Sequence, residues 1–221
     1  MKGILFTIEN QNATREKRKI QTRRLDGLKE INKEPDNWEC VERGIFTFIF
    51  HHKGERKVIR VKPRYNIGET VYLKEAYYFY RRLGTQANIK YIRDDFVTWV
   101  SIPKDKPTPK EGYHSPLFLP EWAARDFIKI KDIGIDRIKN ISYSDCLDEG
   151  IEPCHVPQIA FQRLWDSING KRVRSKEYTS SYDWARGGIE HKHFTYHPSP
   201  YCWDANPWTW VYHYELLESK S

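Results

Sequence analysis

Apolar positions along this chain fall mostly in short runs of strand length and only rarely at helical spacing. Residues 3–8, GILFTI, read as an opening strand because they are apolar and partly β-branched. The polar residues 9–17 fit a short helix or a turn, and residues 19–25 look extended again. Residues 44–51 and 57–61 predict a hairpin turning at HKGERK. A turn over 66–69 leads into a strand over 70–74, with Val71 and Leu73 on one face. Strand-like pieces continue between Tyr80 and Trp99, while the Pro- and Lys-rich segment 101–115 reads as a surface loop. In FIKIKDI, residues 127–133, apolar and charged side chains alternate, which predicts a half-buried strand with a lysine-bearing face.

Two segments carry helix signals. Residues 142–150, SYSDCLDEG, place Ser142 as a cap, Asp145 three positions on as in a capping box, and Gly150 as the stop. Residues 157–168 set Ile159, Ala160, Phe161, Leu164, Trp165 and Ile168 at helical spacing, which predicts a core-facing stripe. The polar, basic segment 170–200 reads as an irregular insertion. NPWTWVYHYELL then predicts a last strand, with Trp208, Trp210, Tyr212 and Tyr214 on one face and Thr209, Val211 and His213 on the other. Strands with a few short helices predict an α+β fold built on a sheet or a small barrel. The expected organisation is a single domain over residues 1–221 with two inserted loops, at about 80–115 and 170–200.

Composition narrows the class. Among 221 residues, 39% are hydrophobic and 14% aromatic, enough to bury a core without covalent staples. The four cysteines, Cys40, Cys146, Cys154 and Cys202, form no CxxC pair, and MKGILFTIENQ lacks the apolar stretch of a signal peptide. Together these predict a cytoplasmic chain with free thiols. No apolar run nears the roughly 20 residues that a membrane-spanning helix needs. A net charge of +7 favours a polyanionic partner, nucleic acid or nucleotide.

A shared order of motifs carries the strongest functional signal. KRKIQTRR near the start is followed by GETVYLKEAYY, PLFLPEWAAR, ISYSDCLDEGI, FQRLWDSINGKR and WDANPWTWVYHYEL. In this order the chain resembles the ASCH family, the activating-signal-cointegrator homology domains, in the longer form common in phage and prophage genomes. The resemblance runs nearly end to end. It implies a PUA-like β-barrel flanked by short helices, with a cleft for RNA or modified nucleosides. One small bacterial branch hydrolyses acetylcytidine to cytidine and acetate with a Lys, a Thr three residues later, an Arg two further on, and a Glu ending a short helix. Those positions fall here on Lys19, Thr22, Arg24 and Glu149. The present chain is about twice as long as members of that branch and carries the two insertions.

The chemistry asks specific things of these residues. A threonine hydroxyl is a weak nucleophile and needs an adjacent base. A lysine serves only when neutral, against a free pKa of about 10.4, so burial or the nearby cations Arg18, Arg23 and Arg24 must lower it. Lys19 would take the Thr22 proton, Arg24 or a backbone N–H would hold the oxyanion, and Glu149 would orient the base or pass a proton to the leaving amine. No cofactor and no metal enters this scheme. Residues three apart on a regular strand point to opposite faces, so Lys19 is expected on the turn entering the strand. A plain structural account competes: Lys19 and Glu149 as an ion pair tying a loop to a helix end, with Thr22 an ordinary strand residue.

A binding module is the alternative function. Arg18, Lys19, Arg23 and Arg24 would clamp phosphates of RNA or DNA while Tyr77, Tyr78, Tyr80 and Trp184 stack bases. Glu75, in LKEAYY, is a further carboxylate expected near the cleft. A protein-interaction module on the same barrel is the third class. His191, His193, His197 and Cys202 are zinc-ligand types, but their spacing fits no well-defined finger and a His-rich surface loop is expected. Cys154 and His155 are adjacent, and adjacent side chains rarely aim together, so no thiol nucleophile is expected there.

Overall fold

The strand-length runs become strands of a mixed α+β structure. The computed structural model describes every residue except 45–46, 172, 184–188 and 218–221. The chain opens with β1 (Lys2–Leu5), α1 (Ile8–Arg15) and β2 (Gln21–Arg24). A second group follows, β3 (Trp38–Arg43), β4 (Phe48–His52), β5 (Val58–Val61) and β6 (Thr70–Lys74). The third is β7 (Tyr77–Leu83), β8 (Gln86–Tyr91), β9 (Val97–Ser101) and β10 (Gly112–His114). The last is β11 (Phe127–Arg137), α2 (Tyr143–Asp148), α3 (Pro157–Asn169), β12 (Val173–Asp183), β13 (Ile189–His197) and β14 (Trp208–Leu217).

A five-stranded sheet in the order β1-β6-β11-β14-β2 organises the molecule. Only its β1–β6 pair is parallel. The edge strands β1 and β2 do not pair, but Arg24 Nη2 on β2 donates to Leu5 O at the end of β1 at 2.6 Å. A three-stranded sheet, β3-β4-β5, contributes to the core of the five-stranded one, where Phe48 meets Trp210 and Phe50 meets Trp208 edge to face. Val71 and Leu73 reach this core from β6, as their alternation predicts. The predicted β4–β5 hairpin forms, and it sets the register that the rough alternation of Val58, Ile59 and Val61 left open, with Phe48 opposite Val61 and His51 opposite Val58.

The first predicted insertion carries the strand-like pieces expected between Tyr80 and Trp99, and the second is more regular than expected. The first holds strands β8, β9 and β10, which with β7 form a sheet in the order β10-β7-β8-β9. Its own core includes Phe79, Ile89, Tyr91 and Leu119. Only the stretch between β9 and β10 remains a loop. The second contains a hairpin, β12–β13, in place of irregular chain. Its sequence offers no clear apolar face, so the period-2 signal that marks a half-buried strand is missing.

The helices follow their signals closely. Ser142 and Asp145 form the capping box of α2. On α3, Phe161 and Trp165 pack with Ile138, Ile141 and Cys146, but Ile159 and Ile168 are about half exposed. The buried stripe of α3 is therefore narrower than its spacing suggests. All four cysteines are unpaired. Among the described residues, no helix is long and apolar enough to cross a membrane.

Candidate functional site

A sharp reversal after α1 sets the position of Lys19. Lys17 takes a positive φ of 59°, and the N–H groups of Arg18 and Lys19 both donate to Ala13 O. Ile20 N then donates to Asp148 O at 2.8 Å, and Lys19 pairs with Glu149 in an isolated β-bridge. Lys19 thus lies on the turn into β2, where a Lys and a Thr three apart can share a pocket. Glu149 is the C-cap of α2, and Gly150 follows at φ +89°. A Cβ on Gly150 would stand 3.1 Å from Lys19 Cβ and 3.2 Å from Ala13 Cβ. Gly150→Ala is therefore expected to cost at least about 1–2 kcal/mol, from the left-handed backbone and from crowding of the lysine stem. Urea denaturation measures it, and a loss below about 0.5 kcal/mol would contradict the close approach.

Lys19, Thr22, Arg23, Arg24 and Glu149 all line one cavity of about 610 Å³. Lys19 Nζ donates to Glu149 Oε2 at 2.6 Å and to Glu149 O at 2.7 Å, with both residues buried. Both of these contacts go to Glu149 and neither to Thr22 Oγ1. Arg23 reaches the same carboxylate, Nη1 to Oε1 at 3.3 Å, and Asp145 Oδ2 with Nη2 at 3.2 Å. With its amide set to satisfy its neighbours, Gln21 donates to Asp145 Oδ1 and accepts from Arg23. Arg24 forms no ion pair among the described residues and its guanidinium lies over Phe6. The Nε atoms of Arg23 and Arg24 are buried with no hydrogen-bond partner. Lys19, Arg23 and Arg24 thus face Glu149 and, at the rim, the exposed Asp26, while Asp145 stands against Arg23 from outside the cavity wall.

Burial drives the titration of this cluster. It depresses Lys19 below the ordinary lysine value, while the Glu149 carboxylate pulls it back up and Arg24 and Arg23 push it down again. The net direction is downward. Burial likewise lowers Arg24, against the opposing pull of Tyr65, Glu149 and Asp26. Burial works to raise Asp145, but the Ser142 N–H and Arg23 outweigh it and hold the carboxyl below its usual range.

Other predicted residues lie elsewhere. Arg18 turns outward to Glu16 and Glu152 and does not line the cavity. Glu75 is buried against Arg125, with hydrogen bonds at 2.9 and 2.6 Å, and 3.5 Å from Arg93. It too is absent from the cavity wall, and the buried cations that surround it make it a structural anchor. Tyr77 is 1% exposed and cannot offer a ring face to a base. Tyr78 and Tyr80 are exposed but lie on the inserted sheet, away from the cavity. Trp184 lies outside the described residues. Cys154 and His155 are exposed and line no part of the cavity. His193 Nε2 bonds Ser181 Oγ at 2.7 Å, and among the described residues no group of His, Cys, Asp and Glu is arranged to hold a metal ion.

Sequence reasoning overlooked the apolar walls. Phe6 stands beside both Lys19 and Arg24, and α3 supplies Leu164 and Ile168. The signal was present in the helical stripe of α3, of which Phe161, Leu164, Trp165 and Ile168 line the cavity. A larger groove of about 1,760 Å³ runs beside Trp122 and Arg125, and of the predicted site residues only the buried Tyr77 borders it. Its Arg125 is already bonded to Glu75 and Asp94. No family model matches this chain, and no curated protein or solved structure matches it.

Proposed function

We propose that this chain is a PUA-like ASCH domain that binds a modified pyrimidine nucleoside, free or within RNA, and hydrolyses an acyl amide on its base. One observation carries the reading: Lys19, Thr22, Arg24 and Glu149 converge on one cavity of about 610 Å³. That volume suits a small ligand. The approach of the two sheet edges through Arg24 and Leu5 supports a barrel-like architecture.

Proton transfer from Lys19 Nζ to Glu149 Oε2 across their 2.6 Å contact converts a charged pair into a neutral one. Burial favours the neutral amine of Lys19, because it loses less solvation than the ammonium does. The freed amine swings to Thr22 and accepts its proton as Oγ1 attacks the acyl carbonyl. Arg24 supplies donors to the oxyanion. Collapse breaks the C–N bond, the departing amine takes the proton from Lys19, and an ester remains on Thr22. Water activated by the same lysine cleaves the ester, releasing the carboxylic acid and restoring the hydroxyl.

The closed Lys19–Glu149 pair favours a second reading, binding without hydrolysis, since a lysine held as ammonium is no base. Incubation with acetylcytidine and chromatography of the products separates the two. The proposed hydrolase releases cytidine and acetate in equal amounts. Absence of turnover, with RNA binding that weakens with salt and is lost in Arg24→Met, supports the binding module. Absence of both overturns the two readings and leaves a protein-interaction module.

A further inference from the structure

We infer that the solvent face of the inserted four-stranded sheet is a second binding surface, a stacking platform for single-stranded nucleic acid. On β7, Tyr78 and Tyr80 alternate with the buried Tyr77 and Phe79. Tyr78 lies opposite Tyr113 of β10 on one side and Lys90 of β8 on the other. A bulge between Phe79 and Arg81 shifts the register, so that Arg81 pairs with Asn88 and shares the outer face with Tyr80. Asn88 in turn faces Trp99 of β9, and the Arg81 guanidinium lies 5.9 Å from the Trp99 ring centre. One face therefore presents Tyr78, Tyr80, Trp99 and Tyr113 together with Arg81 and Lys90.

An antiparallel sheet ordinarily covers its solvent face with polar side chains. Here the rings are 37% (Tyr78), 41% (Tyr80), 41% (Trp99) and 62% (Tyr113) exposed, and such a patch marks an interaction site. The cations select the occupant. Rings and arginine are common to both kinds of interface, but lysine is depleted from protein–protein interfaces, and rings interleaved with Arg and Lys suit bases and phosphates. Residues 77–114 hold seven basic side chains against four acidic ones, within a chain of net charge +7. Lys90 pairs with Asp95 at 2.7 Å, an exposed contact weak enough for a phosphate to replace. Spacing selects the strandedness. From β7 to β9 is two strand separations, roughly 10 Å. Neighbouring bases in a stacked strand are only about 3.4 Å apart. Rings on these two strands would take separate, unstacked bases, which a duplex does not offer.

Fluorescence anisotropy of the full chain with a short labelled oligouridine tests this surface. Trp99→Ala and Tyr78→Ala are each expected to weaken binding by about 5- to 150-fold, the range for losing one base-stacking ring. Trp99→Phe, which keeps a ring, should retain most of the affinity, and Arg81→Gln should flatten the salt dependence. The reading does not rest on the pocket chemistry: its readout is oligouridine affinity, and Trp99→Ala should leave any release of cytidine from free acetylcytidine unchanged. Three results would each overturn it: duplex RNA of equal length binding as tightly, ring removal without effect on affinity in variants of unchanged circular dichroism, or self-association of the chain that Trp99→Ala abolishes.

Discussion

Glu149→Ala is expected to destabilise the protein by about 3–5 kcal/mol, because it leaves the buried Lys19 ammonium without its counter-charge. For a chain of this size that lowers Tm by roughly 6–20 °C. The main-chain contact to Glu149 O survives the substitution, but a carbonyl dipole does not balance a full charge. Arg23 loses one of its two carboxylate partners as well. Replacing both members, Lys19→Met with Glu149→Met, should recover most of the loss, since a buried ion pair contributes little beyond an apolar pair of similar volume. Guanidinium denaturation of the single and double variants gives the cycle, and a single-variant loss below about 1 kcal/mol would show the pair to be solvated. The pH dependence has a definite sign. Lys19 titrates below its ordinary 10.5 in the folded chain, so the unfolded chain binds more protons between the two values and this group's contribution to stability rises with pH there. In Glu149→Ala the folded value falls further, and the defect should shrink as pH climbs towards 10.5.

Local pattern made much of the fold legible. Alternation marked β6, β11 and β14, the HKGERK turn marked the β4–β5 hairpin, and the Ser142–Asp145 box marked the start of α2. Strand order was not legible, because β1 pairs in parallel with β6 across some seventy residues and no local pattern records that partner. β3, with the sequence WECVER, carries only one deeply buried residue, Trp38, so it lacks the period that signals a strand. The inserted sheet shows the opposite case. Its alternation in Ala87, Ile89 and Tyr91 fits the strand-like pieces expected there, but nothing local shows that they join β7 and β10 in a separate sheet.

The site divides in the same way. Lys19, Thr22 and Glu149 came from a motif order, which encodes tertiary proximity that spacing alone does not. Arg18 and Glu75 came from charge and position, and both face away from the cavity. In RRLDG and KRKIQ a basic run says nothing about which side chains a turn will direct inward; the Lys17 reversal sends Arg18 out and Lys19 in. Tyr77 and Tyr78 make the same point, because adjacent strand positions differ only in parity and parity follows register.

On the hydrolase reading, Thr22→Ala should lower kcat on acetylcytidine at least about 10³-fold while leaving KM nearly unchanged, since the hydroxyl acts in the reaction and adds little to binding. Thr22→Ser should restore much of the rate, because it returns an Oγ at the same place on β2, opposite Tyr212. Arg24→Met should act differently, raising KM and lowering kcat together, as expected for a donor that meets both ligand and oxyanion. The pH profile supplies the signature that a structural threonine would not have. Lys19 must be neutral to accept a proton, so kcat/KM should rise through a limb set below the ordinary lysine value by burial. Lys19→Ala abolishes that limb along with the activity. Turnover that survives both Thr22→Ala and Lys19→Ala would mean that the nucleophile is water activated by another group, and Glu149 and Asp26 are the carboxylates on the cavity wall able to activate it.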